Sequence, residues 1–289
     1  MNIDLKSISE IVQIFNEEDR NAIEAVVAES EAISKAVEMI VDAFHHGGRL
    51  FYIGAGTSGR LGVLDASECP PTFSTQPEMV QGIIAGGDVA LRKAVEGEED
   101  KPERGAQAVR EYQLTSQDVL VGIASSGRTP YVLGALKEAH TKGVKTIFLS
   151  CVPPAEELKE YVGHFITPIV GPEIITGSTR LKAGTATKLV LNMLTTISMV
   201  KLGKVYNNLM VDVHASNIKL VERSIRIVQT VTGVDATIAD TTLKQARGSA
   251  KIAIVMLVKN INRTDAVALL EKHQGFLRPI LDDLKQMET

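Results

Sequence analysis

The spacing of hydrophobic positions changes several times along the chain, and each change predicts an element. Residues 17–47 have an acidic first turn, carry apolar side chains at intervals of three and four, and end at Gly47-Gly48. This pattern predicts a helix. The apolar run at residues 49–54, which ends in glycine, is typical of a buried strand. A helix over residues 58–68 and a second strand over residues 80–87 are predicted to follow.

The same alternation continues to residue 233. Further strands are predicted at 118–124, 145–152 and 164–170, and further helices at 102–113, 129–143, 179–203 and 216–233. Strands that alternate with helices predict an α/β fold, with a parallel sheet flanked by helices on both faces. Residues 234–289 show no strand pattern and are predicted to form short helices. The expected domains are therefore residues 1–233 and a small helical C-terminal domain, residues 234–289.

Composition and charge restrict the classes of function. The chain has 289 residues, is 44% hydrophobic and 23% charged, and carries a formal net charge of −4. These values and the lack of a Lys/Arg run argue against nucleic acid as a partner. No signal peptide or membrane-spanning segment is expected, because the apolar stretches are short and interrupted by polar residues. Two cysteines, Cys69 and Cys151, fit neither a disulfide framework nor a metal site, which favours a cytoplasmic location.

A glycine-rich turn at residues 54–60 is the first candidate binding element. Its glycines match G-x-G-x-x-G, a weak dinucleotide signal that also needs an acid at the end of the next strand. Glu78 lies near that distance but precedes its strand, so its position is wrong for this role. The hydroxyls of Thr57 and Ser58, with Gly56 and the amides of the following helix, suit a phosphate monoester better.

A second turn, residues 125–130, follows another predicted strand and contains Ser125, Ser126 and Thr129. Because the carboxyl ends of parallel strands meet at one edge of a sheet, the two turns are expected to form a crevice. The alternative is that these hydroxyls only cap the helices that follow. The same two interpretations apply to Ser178 and Lys182, which lie at the beginning of the predicted helix at residues 179–203.

Two separated acidic stretches supply candidate proton-transfer groups. Glu68 lies in the run DASECPPTF, and Glu99 lies in the acidic cluster at residues 97–100. The alternatives are a solvated acid at a helix end for Glu68 and an exposed acidic turn for Glu99. Asp65 is expected to be a surface or capping acid, and Cys69 a small buried thiol.

Three longer stretches carry a resemblance to a known family. These are GTSGRLGVLDASECPPTF at residues 56–73, VEGEED at 95–100 and GPEIITGSTRLKAGTATKLVLNMLTT at 171–196. With the two turns, they resemble a sugar isomerase (SIS) domain and, more specifically, the N-acetylmuramic acid 6-phosphate etherase family. The glucokinase regulatory protein is similar at a lower level. The resemblance covers nearly the whole chain and implies a SIS-type three-layer fold.

The resemblance also implies a function. It implies cleavage of the D-lactyl ether of N-acetylmuramic acid 6-phosphate, giving N-acetylglucosamine 6-phosphate and D-lactate, in cell-wall sugar recycling. It further implies a homodimer and no cofactor, and it assigns the two catalytic glutamates of the family to Glu68 and Glu99. The elimination itself requires no metal, which agrees with the absence of metal-spaced His/Cys clusters in the sequence. In an open-chain sugar, one base at C2 and one acid at the ether oxygen suffice for elimination and rehydration.

The roles of the two glutamates and two other functions remain open at this point. Glu68 is expected to be the acid with a raised pKa, since its surroundings are mostly apolar, and Glu99 the base at C2. The reverse assignment is the alternative. A non-catalytic phosphosugar sensor would leave both glutamates without a role, and an aldose–ketose phosphate isomerase would share only the enolisation step.

Overall fold

A computed structural model describes residues 2–213 and 218–282 of the chain. Its contacts divide the chain into two compact units. The first unit contains residues 1–67 and 77–196, and the second contains residues 68–76 and 197–289. The helices α3 (Gly56–Phe73) and α7 (Lys182–Lys201) contribute to both units.

The first unit contains a five-stranded, all-parallel sheet. The strands are β1 (Leu50–Gly54), β2 (Val80–Ile84), β3 (Val119–Ile123), β4 (Lys145–Leu149) and β5 (His164–Ile166). Their order across the sheet is β2-β1-β3-β4-β5. Gly54 pairs with Ile84 on one side and Ile123 on the other, so the carboxyl ends of these three strands are level.

Helices cover both faces of the sheet. The helices before and between the strands are α1 (Ile8–Ala28), α2 (Ser30–His45), α3, α4 (Val89–Arg92), α5 (Pro102–Glu111) and α6 (Pro130–Thr141). On one face, Phe51, Leu120 and Phe148 form a core with residues of α5 and α6. On the other face α2 packs against β1, β3 and β5, and α3 lies so close that a Cβ on Gly62 would be 2.8 Å from Tyr52 Cβ. The predicted α/β class with a parallel sheet is confirmed.

The prediction of one helix over residues 17–47 is wrong, because the structure has two helices there. The helix α1 already begins at Ile8, where the side chain of Ser7 accepts from the amide of Glu10 and the carboxylate of Glu10 accepts in return. This reciprocal capping stabilises a helix start. At the other end of α1, the hydroxyl of Ser30 donates to the carbonyl of Val27 (2.5 Å). This hydrogen bond lies at the break between α1 and α2.

The second unit is helical in its described part. Its further helices are α8 (Ile218–Thr232), α9 (Ala236–Gln245), α10 (Ala250–Lys259), α11 (Arg263–Lys272) and α12 (Leu277–Asp282). Apolar residues of these helices form a separate core that includes Ile227, Leu243, Ile254 and Leu270. Since α8 packs mainly on α9 and α10, the contacts place it with the C-terminal helices, ahead of the boundary at residue 233 that the sequence predicts. Residues 216–217 of the predicted helix lie outside the described part.

None of the helices in the described residues is both long and apolar enough to cross a membrane.

Candidate functional site

The two hydroxyl-bearing turns meet at the carboxyl edge of the sheet. The chain runs from β1 outward to β2 and then returns to β3 on the other side of β1. The turns after β1 and β3 therefore flank the point where the strand order reverses, which is where ligands of open parallel sheets bind. There, Ser58 Oγ lies 3.4 Å from Ser125 Oγ, and both serines are buried. The predicted crevice between the two turns is present.

The first turn presents backbone and hydroxyl groups at the beginning of α3. Gly56 has φ +53°, and a Cβ at this position would meet no atom within 4 Å, so the space beside it is open. The first amides of a helix have no partner inside the helix, and they favour an anion. Thr57 is half-buried, and a Cβ on Gly184 of α7 would lie 3.6 Å from its Cγ2. The beginning of α7 therefore borders this turn.

The second turn is held by its backbone, which leaves its side chains to line a cavity. The carbonyl of Ser125 accepts from the amide of Cys151 (3.1 Å), and the amide of Gly127 donates to the carbonyl of Ala124 (2.8 Å). Thr129 occupies the position before α6 but makes no side-chain capping hydrogen bond. The capping interpretation of the Thr129 hydroxyl is therefore wrong.

A cavity of about 360 Å³ lies beside the second turn. Ser125, Ser126 and Arg128 line one side of it, and Cys151 and Glu173 line the other. Burial raises the pKa of the Cys151 thiol to about 11, so this thiol stays protonated at neutral pH and is a poor nucleophile. The wall of the cavity therefore carries hydroxyls and one guanidinium. Its thiol is not a reactive thiolate.

The segment before α7 is organised by a carboxylate that no sequence pattern predicted. The two oxygens of Glu173 accept from the amides of Lys182 and Ala183, each at 3.0 Å, and so cap α7. Ser178 lies half-buried in this segment, where its amide donates to the carbonyl of Ile175 (2.9 Å).

The side chain of Lys182 is engaged with α1. Its ammonium lies 2.5 Å from the carboxylate of Glu18, and the lysine is only 1% exposed. The hydrogen bond from Lys182 lowers the pKa of Glu18. In the structure, this predicted site residue therefore contributes its backbone to the start of α7, and its charge to an ion pair.

Glu99 shares a cleft with the first turn. A cleft of about 200 Å³ is lined by Gly56 and Arg60 of α3 and by Glu96 and Glu99. These two glutamates lie in the acidic segment, residues 91–101, which runs from the end of α4 to the beginning of α5. The carboxylate-bearing side chain of Glu99 is exposed, while its carbonyl accepts from the amide of Tyr131 (2.9 Å). Glu99 and the beginning of α3 therefore border the same space.

Arg60 holds the acidic segment, a role that the sequence analysis missed. Its Nε donates to the carbonyl of Leu91 (3.2 Å), and its Nη2 donates to the carbonyl of Lys93 (3.3 Å). Arg60 follows Gly56 by one turn of α3, so it links the first turn to the segment that carries Glu99. Its place inside the motif GTSGR is the only signal that the sequence offers.

Glu68 is an exposed residue of α3, twelve positions after Gly56. At about 1.5 Å per residue, this separation corresponds to about 18 Å along the helix axis. The structure thus brings Glu99 together with Gly56, and Ser58 together with Ser125. Glu68 is not among the residues that line either of the two cavities described above.

Asp65 is not the surface or capping acid that the sequence suggested. It accepts from the hydroxyls of Tyr52 on β1 (3.0 Å) and Thr195 on α7 (3.3 Å). The hydrogen-bonding pattern also orients the Asn192 amide so that its nitrogen donates to Asp65 (3.3 Å) and its oxygen accepts from Lys188 (2.7 Å). Burial raises the pKa of Asp65 to about 6, although these hydrogen bonds lower it. The apolar periodicity around Asp65 was the available sign of burial.

The next feature is the set of residues that could bind a metal ion. His46 is exposed and contacts Asp42 of its own helix, and His214 lies outside the described residues. Within residues 2–213 and 218–282, no group of three or more His, Cys, Asp or Glu side chains is arranged to hold a metal ion.

Comparisons with known proteins identify close relatives. The family model of the glucokinase regulatory protein N-terminal SIS domain matches residues 32–140, in agreement with the predicted SIS-type fold. An N-acetylmuramic acid 6-phosphate etherase of Actinobacillus pleuropneumoniae is 54% identical, with coverage of 97% of this chain and 92% of the relative. An etherase of Rhizobium rhizogenes is 55% identical, with coverage of 96% and 90%.

Solved structures agree on the fold. A Bacteroides fragilis protein assigned as a phosphosugar isomerase has a TM-score of 0.52 and 21% identity, over 70% of this chain and 95% of that chain. A Listeria monocytogenes protein assigned as a sugar-phosphate isomerase has a TM-score of 0.50 and 19% identity, over 67% and 90%. At these identities the likeness supports the fold alone.

Proposed function

The chain belongs to the N-acetylmuramic acid 6-phosphate etherase family, and from this membership we propose that it cleaves the D-lactyl ether of N-acetylmuramic acid 6-phosphate. The products are N-acetylglucosamine 6-phosphate and D-lactate, formed in the recycling of peptidoglycan sugars. The observation that carries the proposal is 54% identity over 97% of the chain to an etherase of that name. The crevice with Ser58 and Ser125 supports it, because it suits the phosphate of such a substrate.

The reaction needs two proton-transfer groups and a grip on the sugar. In the open-chain form, the aldehyde makes the C2 proton acidic, and the lactyl ether at C3 is then β to the developing carbanion. A base removes the C2 proton while an acid protonates the ether oxygen, so D-lactate leaves and a C2–C3 double bond forms. Water then adds to C3 and a proton returns to C2, with the two groups in reversed roles.

We assign these roles to Glu99 and Glu68. Glu99 is the base at C2, because this residue lines the cleft that also contains Gly56. Glu68 is the acid that protonates the leaving lactate. The sugar phosphate is held by Gly56, Thr57 and Ser58 of the first turn and by the second turn and the segment before α7; the residues involved there are Ser125, Ser126, Thr129 and Ser178.

The assignment predicts different defects in two variants. Glu99→Gln should lose both D-lactate release and the incorporation of deuterium from D2O at C2, by about 10²-fold or more, since a general base typically contributes this much. Glu68→Gln should lose D-lactate release to a similar degree and retain deuterium exchange at C2. An enzymatic D-lactate assay and NMR of the recovered sugar measure the two quantities.

The same measurements can contradict the proposal. Exchange that persists in Glu99→Gln and disappears in Glu68→Gln would reverse the two roles. A wild-type protein that releases no D-lactate would contradict the etherase activity, and isomerisation of a hexose 6-phosphate would then support the isomerase alternative.

The proposal includes a homodimer in the cytoplasm. The family resemblance implies the dimer, and large apolar side chains such as Ile8 (83% exposed) and Leu64 (50% exposed) lie on the surface of the single chain. Cys69 and Cys151 are buried thiols, which agrees with a reducing compartment.

A further inference from the structure

The substrate of the proposed reaction carries two anionic groups at different places on the sugar. The phosphate is attached at C6, and the carboxylate belongs to the D-lactyl ether at C3. The first turn suits the phosphate, since amides and hydroxyls at the start of a helix bind such a group without a cationic side chain. The carboxylate needs a partner of its own, and a guanidinium matches a planar carboxylate best.

Two of the cations close to the turns are already engaged. The guanidinium of Arg60 donates to two backbone carbonyls of the acidic segment, and the ammonium of Lys182 is paired with Glu18. Arg128 of the second turn differs from both. It is exposed, and it forms no hydrogen bond or ion pair with any other residue in the described part of the chain.

Arg128 lines the cavity of about 360 Å³ that lies beside the second turn. Glu173 also lines this cavity, but both of its oxygens accept from amides at the start of α7, where the helix dipole favours a negative charge. The Cys151 thiol is protonated at neutral pH, because burial raises its pKa to about 11. Among the described residues that line the cavity, Arg128 therefore carries the charge that lacks a partner.

The cavity also has an apolar side, which matches the methyl group of a lactyl ether. Val152 and Val170 line it. Val152 packs against the second turn, since a Cβ on Gly127 would lie only 2.8 Å from its Cγ2. Because Gly127 directly precedes Arg128, this valine lies beside the backbone that carries the arginine. A few placed polar groups on an apolar wall are typical of small-molecule sites.

We propose that the cavity beside the second turn receives the D-lactyl group and that Arg128 binds its carboxylate. Arg128 is then a specificity-determining residue, because it distinguishes the substrate from sugar phosphates with a free 3-hydroxyl group. The product N-acetylglucosamine 6-phosphate lacks the carboxylate, so it makes no such contact. This inference rests on the proposed function, because it needs a lactyl ether on the bound sugar.

Calorimetry with three ligands tests the proposal. All proteins carry Glu99→Gln, so that the substrate is not consumed. The ligands are N-acetylmuramic acid 6-phosphate, its analogue with a neutral amide in place of the lactyl carboxylate, and N-acetylglucosamine 6-phosphate. In the Glu99→Gln protein, the dissociation constant of the amide analogue should exceed that of the acid at least about tenfold, because a hydrogen bond to a charged group contributes this much.

Arg128→Gln should remove this preference selectively. Added to Glu99→Gln, it should weaken the binding of N-acetylmuramic acid 6-phosphate at least about tenfold and make the acid and the amide bind alike. The binding of N-acetylglucosamine 6-phosphate should change less than about threefold, which also shows that the variant is folded. Arg128→Lys, which keeps the charge but loses the planar fork, should retain part of the preference.

Lys142→Gln is the matched control. It removes an exposed cation at the other end of α6, the helix that follows the second turn. All three dissociation constants should stay unchanged in this variant.

Other results overturn the inference or the function on which it rests. Equal weakening of all three ligands by Arg128→Gln would place Arg128 at the phosphate. An undiminished preference for the acid over the amide, in either Arg128 variant, would exclude a contact between Arg128 and the lactyl carboxylate. Absence of D-lactate release by the wild-type protein, in contrast, rejects the proposed function itself.

Discussion

At the scale of the residue, burial changes the chemistry of an acid more than its sequence neighbours do. Asp65 and Glu68 are three positions apart on α3, yet Asp65 is bonded to Tyr52 and Thr195, whereas Glu68 is exposed. The consequence for Asp65 is a pKa of about 6 instead of 3.8, caused mainly by burial. Asp65 therefore gains or loses its proton in a pH range where ordinary carboxylates are ionised.

This raised pKa predicts that ionisation of Asp65 destabilises the fold. Between pH 3.8 and about 6, the folded state binds a proton that the unfolded state releases, so stability falls as pH rises through this window. Asp65→Asn should remove this pH-dependent loss of stability, because asparagine does not ionise. Relative to the wild type, the variant should gain free energy of unfolding from pH 4 to pH 7, by up to about 3 kcal/mol.

Urea unfolding at pH 4, 5 and 7 measures this gain. Asp88→Asn is the matched control, because Asp88 is exposed and its exchange should give a nearly constant difference across the same range. An Asp65→Asn difference that does not change with pH would contradict the burial of an ionising carboxylate.

At the scale of the element, the acidic segment (residues 91–101) is held by three described backbone contacts. Residues 92–97 are exposed, and Gly97 has φ +77°. Arg60 holds the carbonyls of Leu91 and Lys93, and the amide of Tyr131 holds the carbonyl of Glu99. Arg60 is therefore a positioning residue for Glu99, since it ties one end of the segment to α3.

Loss of this tie should reduce turnover more than substrate binding. In Arg60→Gln, kcat should fall at least tenfold while KM changes less than threefold, because misplacement of a catalytic group by about 1 Å can cost 10²-fold. Hydrogen exchange of the amides at 91–101 should accelerate, and exchange in β1 should not. Arg92→Gln removes an exposed arginine from the same segment and should leave all three quantities unchanged. A raised KM with normal kcat would instead mean that Arg60 binds the phosphate.

Sequence patterns predicted the elements well where one local signal dominates. All five strands lie within the predicted apolar runs, because buried parallel strands need such runs. The start of α1 was missed although the Ser7–Glu10 capping pattern is visible in the sequence. The ion pair between Lys182 and Glu18 joins residues 164 positions apart, and no local pattern reveals such a contact.

At the scale of the whole molecule, sequence and single-chain structure answer different parts of the functional question. The two turns could be predicted to converge, because strand order places the ends of β1 and β3 side by side. The resemblance assigned Glu68 and Glu99 to one site. Neither the motifs nor their spacing could show that Arg60 holds the chain ahead of Glu99, because its hydrogen bonds join residues that lie 31 and 33 positions apart.

The proposed homodimer makes a testable prediction at Leu64, which is 50% exposed on α3. If α3 meets the partner subunit, Leu64→Gln removes two apolar contacts per dimer, each worth about 1.5–3 kcal/mol when fully buried. The dimer dissociation constant should then rise at least tenfold, and D-lactate release per subunit should fall on dilution and recover at high protein concentration. Ile238→Gln changes a similarly exposed side chain on α9 and should not make activity depend on concentration.

Sedimentation velocity measures the fraction of dimer. Calorimetry with the product N-acetylglucosamine 6-phosphate should still detect binding in dilute Leu64→Gln, because the two hydroxyl-bearing turns belong to one chain. Full activity in a dissociated variant would show that no residue of the partner subunit takes part in the reaction.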